Sequence, residues 1–177
     1  MADQLTPEQR HKCMAAIKGK NTKPEMMVRR YLHALGLRYG LHNKRLPGSP
    51  DIVLRRLKTV IFIHGCFWHG HDGCSYFKMP KSREEYWAEK IRRNRLRDSL
   101  DVQRLTAMGW KVIVVWECEL RTKRRRIETL YALGRYLLDL RDNPAPAYIP
   151  SDLPEDYPLP QEEPAAIAAE APSQYNS

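Results

Sequence analysis

The sequence lacks any run of about eighteen apolar residues, the length that a membrane-spanning helix requires. Its first residues, MADQLTPEQRHKC, contain neither an apolar core nor a small-residue cleavage site, so they do not resemble a secretory signal peptide. We therefore expect a cytoplasmic protein with no membrane partner. Only four cysteines occur among 177 residues, and in a cytoplasmic protein cysteines are more often thiols or metal ligands than disulfides.

Positive charge is absent from the C-terminal end of the chain. Residues 142–177 contain seven acidic residues, no Lys or Arg, and eight of the 13 prolines. Such a composition buries too little apolar surface to offset the entropy of ordering, so it predicts a flexible acidic, Pro/Ala-rich tail. The folded domain is expected over residues 1–141. The net charge of that domain is seven units more positive than the +9 of the whole chain. A charge of this size favours a polyanion such as nucleic acid as its partner.

The first half of this domain is predicted to contain two helices followed by two strands. Capping motifs with a proline in the first turn predict helices over residues 6–17 and 22–35. The apolar runs DIVL (51–54) and TVIFI (59–63) follow turn-forming residues. They predict an antiparallel pair of strands.

The second half is predicted to contain a helix, a strand and a helix. The long helix between residues 82 and 109 is expected to place its large apolar side chains near one face, namely Trp87, Ile91, Leu96, Leu100, Leu105 and Met108. Residues 111–116 (KVIVVW) are rich in β-branched side chains and predict a buried strand, and residues 121–141 predict the last helix. This order predicts an α/β fold with a central mixed sheet flanked by helices.

Four residues of metal-ligating type follow the ends of two predicted strands. Cys66, His71 and Cys74 come directly after TVIFI, and Cys118 follows KVIVVW by two positions. If the two strands are neighbours, three thiolates and one imidazole meet, which is the donor set of a closed structural zinc site. On spacing alone His69 can replace His71 as the fourth ligand, and the cysteines can also be ordinary core residues.

A second group of ionisable residues surrounds the same pair of strands. Asp51 opens the first strand, His64 ends the second, and His69 stands between two of the proposed zinc ligands. A carboxylate that holds Mg²⁺ and a histidine that accepts a proton are what a metal-dependent phosphodiesterase requires. Glu25 can add a carboxylate, although it also completes a capping box with Thr22. Asp51 has an alternative role as an ordinary residue of the PGSPD turn.

Phe67 and Trp68 are adjacent aromatic residues in the loop between the proposed metal ligands. Aromatic side chains on a rigid basic loop can wedge between base pairs, and mismatched pairs unstack most easily. The alternative is that one ring packs over the zinc site. Met14, on the first predicted helix, is either a second wedge or a core residue. The basic runs at 90–97 and 121–126 are either phosphate contacts or solvated helix faces.

Four segments resemble the very short patch repair DNA mismatch endonucleases. They are KCMAAIKGKNTKPE, LPGSPDIV, VIFIHGCFWHGHDGC and GWKVIVVWECEL, and the resemblance extends from residue 8 to about residue 141. It implies a restriction-endonuclease-like fold with a structural zinc and a catalytic magnesium. It also implies nicking of one strand 5′ to the thymine of a T·G mismatch that arises from deaminated 5-methylcytosine. The loop HGHDGC contains one residue more before its cysteine than the usual family pattern.

The resemblance also implies roles for individual residues. Asp51 would hold magnesium together with the backbone carbonyl of Ile63. His69 would be the general base, with Glu25 as its helper and His64 as an additional active-site histidine. Zinc would be held by Cys66, His71, Cys74 and Cys118. The DNA contacts would be Phe67, Trp68 and Trp87 from the major-groove side, Met14 from the minor-groove side, and Lys90 and Asn94 at the mismatch.

Three hypotheses follow for the function. They are a magnesium-dependent mismatch endonuclease, a non-catalytic zinc-containing DNA-binding module for distorted duplexes, and a related restriction-type nuclease. For the first, the resemblance implies mismatched double-stranded DNA of the bacterial nucleoid as substrate, with a cytosine-5 DNA methyltransferase and mismatch-repair proteins as partners of a monomer. Only the carboxylate and histidine cluster separates an enzyme from a binding module, and its completeness favours an enzyme.

Overall fold

A computed structural model describes residues 8–9 and 19–143 of the chain. Most of the helix predicted over residues 6–17, including Met14, lies outside the described residues, as does the tail from residue 144 onward. Within the described part, none of the helices combines the length and the apolar character that crossing a membrane demands.

In the described part of the chain, four strands form one mixed sheet in the order β1–β2–β3–β4. Their bounds are Gly40–Leu41 for β1, Ile52–Leu54 for β2, Thr59–His64 for β3 and Lys111–Trp116 for β4. The predicted antiparallel pairing of β2 with β3 is confirmed, and β4 pairs with β3 in parallel. β4 lies at the edge of the sheet, so that only Val115 within it is fully buried, contrary to the prediction of a buried strand. The two-residue β1 is too short to show an alternation in the sequence.

Within residues 19–143, four helices accompany the sheet. They are α1 (Lys23–Ala34), α2 (Glu84–Ala107), α3 (Glu117–Arg121) and α4 (Lys123–Asp142), with a short 3-10 turn at Arg55–Leu57. Because parallel strands need a crossover connection, α2 carries the chain from β3 back to the start of β4. The architecture is therefore a mixed sheet with flanking helices, as expected of an α/β fold.

Apolar side chains on the two faces of the sheet form two clusters. Alternate residues of β2 and β3 point to opposite faces, as the period of a strand requires. One cluster joins these strands to α1 and α4, through Val28, Leu32, Ile52, Leu54, Ile61, Leu133 and Leu137. The other includes Leu46, Val53, Val60, Phe62 and Leu105. Apolar packing thus covers both faces of the sheet and fixes the positions of the residues at its edge.

The inner face of α2 is only partly the face that its apolar residues predicted. Ile91 and Leu105 are buried and Trp87 is half-buried, as expected, whereas Leu96, Leu100 and Met108 are 54%, 40% and 50% exposed. Asn94, Asp98 and Asp101 lie between Ile91 and Leu105 at intervals of three or four, and they are buried or half-buried in place of those residues. Apolar periodicity does not mark these three positions because they are polar. This helix therefore turns polar groups toward the sheet edge.

Candidate active site

One cleft, of about 1250 Å³, lies where β2 and β3 meet the first turn of α1 and the middle of α2. Its walls carry two clusters of ionisable side chains. The first consists of Glu25, His42 and Asp51, and the second consists of His64, His69 and Asp98. Within each cluster, one potential ligand atom of every residue lies within 4.8 Å of the others. The structure thus gathers the four predicted catalytic residues into one cleft and adds His42 and Asp98.

Asp51 lies immediately before β2 and faces the end of β3. Its Oδ2 accepts a 2.7 Å hydrogen bond from the backbone N–H of Ile63. Burial raises the pKa of Asp51 above the ordinary aspartate value, the Ile63 bond opposes this rise, and the nearby Glu25 carboxylate adds to it. A carboxylate whose ionised form is disfavoured by its surroundings is stabilised by an added cation. The site therefore suits a divalent cation with a preference for oxygen ligands.

Glu25 both closes the cap of α1 and faces the cleft. It is 2% exposed, and its Oε2 accepts a 3.2 Å hydrogen bond from the backbone N–H of Thr22. Its Oε1 accepts a hydrogen bond from the Arg29 guanidinium and lies 3.0 Å from Nε2 of His42. Both roles weighed for Glu25 in the sequence are thus compatible with its position.

His69 is paired with a carboxylate, but that carboxylate belongs to Asp98. Nδ1 of His69 lies 2.5 Å from Oδ2 of Asp98, whereas the side-chain contacts of Glu25 are with Arg29 and His42. The role of Glu25 as a helper of His69, which the resemblance implies, stays a prediction, and the carboxylate that contacts the His69 ring is the one that α2 contributes. A carboxylate that hydrogen-bonds to one ring nitrogen fixes the direction in which the other ring nitrogen points. This is the geometry of a histidine that acts as a general base.

His64 stacks on His69, with ring centroids 3.8 Å apart and planes inclined by 6°. Burial, followed by the charge of His69, lowers the pKa of His64 to about 4. His64 is thus neutral near pH 7. Burial alone favours the neutral form of Asp98, but the hydrogen bond and the charge of His69 outweigh it and hold the pKa of Asp98 below its usual range. The cluster therefore presents a neutral His64 against a His69 ring whose Nδ1 is bound by the Asp98 carboxylate.

Gly70 separates the two histidines and lets their loop lie directly on α2. Its φ is +59°, and a Cβ at this position would lie 2.5 Å from both Nε of Arg95 and Cγ2 of Ile91. A side chain there would strain the backbone and push the loop away from the helix. The Arg95 guanidinium also donates to the Gly70 carbonyl. This close contact fixes His69 and His71 in different clusters.

His71 lies with the cysteines. Its Nδ1 is 3.6 Å from Sγ of Cys66 and 3.4 Å from Sγ of Cys118, and Cys74 completes a group whose ligand atoms lie within 4.8 Å of one another. The spacing in the sequence allowed either His69 or His71 to join the cysteines, and the structure places His71 in this group. Cys74 reaches it despite the additional loop residue, and these three cysteines are free thiols.

The donor set of this group fits a zinc ion. Burial and the two neighbouring thiols raise the pKa of Cys118 to about 12. Burial also raises the pKa of Cys66, whereas at Cys74 the effect of burial is outweighed by hydrogen bonds that lower the pKa. The Cys66 and Cys118 thiols therefore resist ionisation unless a cation compensates their charge. Three sulfurs and one imidazole nitrogen are a common tetrahedral set with no position left for water, which is typical of a structural site.

The loop aromatics form a partly exposed cluster beside the cleft. The ring of Phe67 lies 5.1 Å from that of Trp68 and 5.2 Å from that of Trp87. Nζ of Lys90 lies 5.5 Å from the centre of the Trp68 ring, and Nδ2 of Asn94 donates a 2.9 Å hydrogen bond to the Trp68 carbonyl. Neither loop ring is fully buried. Lys90 and Asn94 therefore support the aromatic surface on which a base could stack.

Two residues of the cleft were missed by the sequence reasoning. Asp98 lies seven residues after Ile91, so an acidic residue in helical phase with a core residue was the available signal. His42 lies in a loop, adopts a φ of +44°, and joins its partners only through the tertiary fold. No local pattern marks it.

Comparison with known proteins gives a family match and several relatives. The model of a family described as DNA mismatch endonuclease Vsr matches residues 2–75. The type II nicking enzyme V.XorIIP of Xanthomonas oryzae pv. oryzae is 52% identical over 120 residues, which are 68% of this chain and 88% of that protein. The type II nicking enzyme V.NmeAIP of Neisseria meningitidis is 48% identical over 78% of this chain and 99% of its own length. The DNA mismatch endonuclease Vsr of Escherichia coli K12 is 43% identical over 71% and 80%.

Proposed function

The chain belongs to the Vsr family of DNA mismatch endonucleases, which makes it a strand-nicking DNA endonuclease, and we propose that it nicks T·G-mismatched DNA in a magnesium-dependent reaction. The nick is placed 5′ to the thymine, and the mismatch originates from deaminated 5-methylcytosine. The observation that carries this proposal is one cleft that combines the Asp51 carboxylate with the His69–Asp98 pair. A partly exposed aromatic cluster lies beside it.

Each residue of the cleft is assigned a separate role in the reaction. Asp51 and the backbone carbonyl of Ile63 are the proposed magnesium ligands, within a fold of the restriction-endonuclease type. Magnesium supplies positive charge that stabilises the transferring phosphate and makes water more acidic. His69 accepts the proton of the attacking water through its Nε2, since Nδ1 is engaged by Asp98. His64 stacks on the ring and keeps it in plane.

Recognition of the mismatch is assigned to the aromatic cluster. Phe67, Trp68 and Trp87 enter the stack from the major-groove side, supported by Lys90 and Asn94. Met14, outside the described residues, enters from the minor groove. Basic side chains at the mouth of the cleft, which are Lys20, Lys23, Lys44 and Arg97, contact phosphates and position the duplex without reading its sequence.

The biological context follows from the origin of the mismatch. A T·G pair formed by deamination of 5-methylcytosine requires a cytosine-5 DNA methyltransferase that modifies the same sequence. We propose such an enzyme and mismatch-repair proteins as partners of a monomeric nuclease. The proposed zinc ion, at Cys66, His71, Cys74 and Cys118, is structural. A non-catalytic binding module is set aside because the similar proteins are endonucleases and nicking enzymes.

The proposal is tested with a panel of end-labelled duplexes that differ at one base pair. The panel contains T·G, the other single mismatches and the T·A pair, each incubated with the full-length protein and Mg²⁺ or with EDTA. Nicking of T·G in Mg²⁺, with little nicking of T·A and none in EDTA, is expected. Equal nicking of all duplexes would contradict mismatch recognition, and full activity in EDTA would contradict the role of magnesium.

We predict that zinc maintains the fold rather than the chemistry. Cys118→Ser removes one of three thiolates from a group that joins the ends of β3 and β4. The variant should lose bound zinc and melt at a lower temperature, because metal binding contributes folding free energy at such sites. Zinc content by atomic absorption and a thermal melt measure both effects. A variant with one zinc per chain and an unchanged melting temperature would disprove the ligand assignment.

We also predict that discrimination of the mismatch depends on the two loop aromatics. The double substitution Phe67→Ala, Trp68→Ala leaves the two ionisable clusters and the basic residues in place. Competition binding at fixed salt should show a loss of T·G over T·A preference of roughly 1–3 kcal/mol for each lost stacking contact. Tyr76→Ala, an exposed aromatic outside the cluster, is the matched control. If the folded, zinc-loaded double variant prefers T·G over T·A as strongly as the wild type does, insertion of these two rings between base pairs is not the source of mismatch recognition.

A further inference from the structure

Arg29 is a buried cation in the cleft region to which the proposed reaction gives no role. It is 6% exposed. Its guanidinium donates to Glu25 Oε1 and to Asn21 Oδ1, and Nη2 lies 2.8 Å from Nε2 of His42. Among the described residues, no acceptor reaches the buried Nε of Arg29. An imperfectly satisfied buried arginine destabilises a fold, so its position calls for a functional explanation.

The Arg29 guanidinium lies where the side chains of Glu25 and His42 meet. Its Nη2 donates to Oε1 of Glu25 and lies 2.8 Å from Nε2 of His42. The same Nε2 lies 3.0 Å from Oε1 of Glu25, and Nδ1 of His42 lies 3.8 Å from Oδ1 of Asp51. Because a guanidinium has five N–H donors and no acceptor, Arg29 occupies the space between these two potential ligand atoms as a cation.

The same side chains would bind a metal if the guanidinium were absent. Ligand atoms of Glu25, His42 and Asp51 lie within 4.8 Å of one another. Two carboxylates and one imidazole suit zinc, cobalt and other transition metals, whereas magnesium prefers oxygen ligands alone. The guanidinium occupies the point at which the Glu25 and His42 donors meet, and it supplies a permanent positive charge there.

We propose that Arg29 determines metal selectivity by filling the position of a competing transition metal. With Glu25 and His42 engaged by the guanidinium, Asp51 is the one side chain of this cluster left to bind a cation, and the centre remains an oxygen site for magnesium. This inference rests on the proposed function, because it assumes that Asp51 is the magnesium ligand. Arg29 itself contacts neither magnesium nor DNA in this account, so it is a positioning and selectivity residue.

The test is a Co²⁺ titration of the full-length protein after its cysteine site has been loaded with zinc. Arg29→Met keeps a long apolar side chain but removes the guanidinium. This variant should bind Co²⁺ about 10- to 100-fold more tightly than the wild type, with an absorption spectrum that lacks thiolate charge transfer. Adding His42→Gln should return the affinity to the wild-type value. Arg30→Met, at the exposed neighbouring position, should leave Co²⁺ affinity unchanged.

Two results would overturn the proposal. One is a folded Arg29→Met variant with wild-type affinity for Co²⁺, and the other is a gain in affinity that persists after His42→Gln. Circular dichroism establishes the fold. If Arg29→Met does not fold, Arg29→Gln carries the same test, because its amide can donate to Glu25 without the charge. Nicking by the wild type in Mg²⁺ is measured in parallel. A failure of the proposed function would be seen in the nicking assay, whereas a failure of the selectivity proposal would be seen in the Co²⁺ affinities.

Discussion

Asp51→Asn is expected to lower the rate of nicking by about three orders of magnitude or more, because an amide cannot supply the negative charge that holds the metal. The substitution is nearly isosteric and keeps an oxygen that can accept the hydrogen bond from Ile63. The local fold should therefore survive. Single-turnover nicking of a T·G duplex in Mg²⁺ measures the rate, and a binding curve at fixed salt measures the affinity.

Binding of DNA should separate from chemistry in this variant. The basic residues at the cleft mouth and the aromatic cluster are untouched, so the dissociation constant should change by less than about threefold. Glu128→Gln removes the same charge from an exposed position on α4 and should leave rate and affinity as they are. A nicking rate for Asp51→Asn within a few fold of the wild type would place the active site elsewhere.

The second large effect is expected at the pair formed by His69 and Asp98. His69→Ala should reduce the nicking rate by about 10²- to 10⁴-fold, the usual contribution of a general base. Asp98→Asn should reduce it as well, since an amide can hold the ring with the wrong nitrogen protonated. Because the two residues act as one unit, the double variant should be barely slower than His69→Ala.

The control for this pair lies on the same helix. Glu89 is an exposed acid of α2 that pairs with Arg92 and Arg93, so Glu89→Gln removes one negative charge from the helix at a distance from the histidines. Its nicking rate should match the wild type. If the fold reductions in nicking rate of the two single variants multiply in the double variant, the two residues act independently. That result would contradict the pairing of His69 with Asp98 and would assign the helper role to another carboxylate.

Much of the framework was predictable because its signals are local. The capping box of Thr22 and Glu25 and the apolar runs of β2 and β3 each specify an element within a few residues. Once β3 and β4 were taken as neighbours, the cysteines at their ends had to meet. The ambiguity between His69 and His71 was not local. It is resolved by the packing of Gly70 on α2, which spacing in the sequence does not reveal.

The residues that escaped prediction share a physical cause. Asp98 lies 29 residues from its partner His69, and His42 lies 13 residues from Arg29. Each becomes visible only when an element has been placed against the sheet. On α2 the apolar pattern was only partly informative, because the helix also turns Asn94, Asp98 and Asp101 inward, and the two aspartates line the cleft. Local rules that assume an apolar interior fail at a functional site for this reason.

The position of the nick made by the wild-type protein distinguishes a mismatch endonuclease from other nucleases. A duplex with one T·G pair is labelled separately at the 5′ end of each strand and incubated with Mg²⁺ under single-turnover conditions, beside the matched T·A duplex. We expect one product, from the thymine-containing strand, that ends immediately 5′ to the mismatched thymine. Cleavage of the guanine-containing strand, cleavage of both strands, or equal cleavage of the T·A duplex would contradict it.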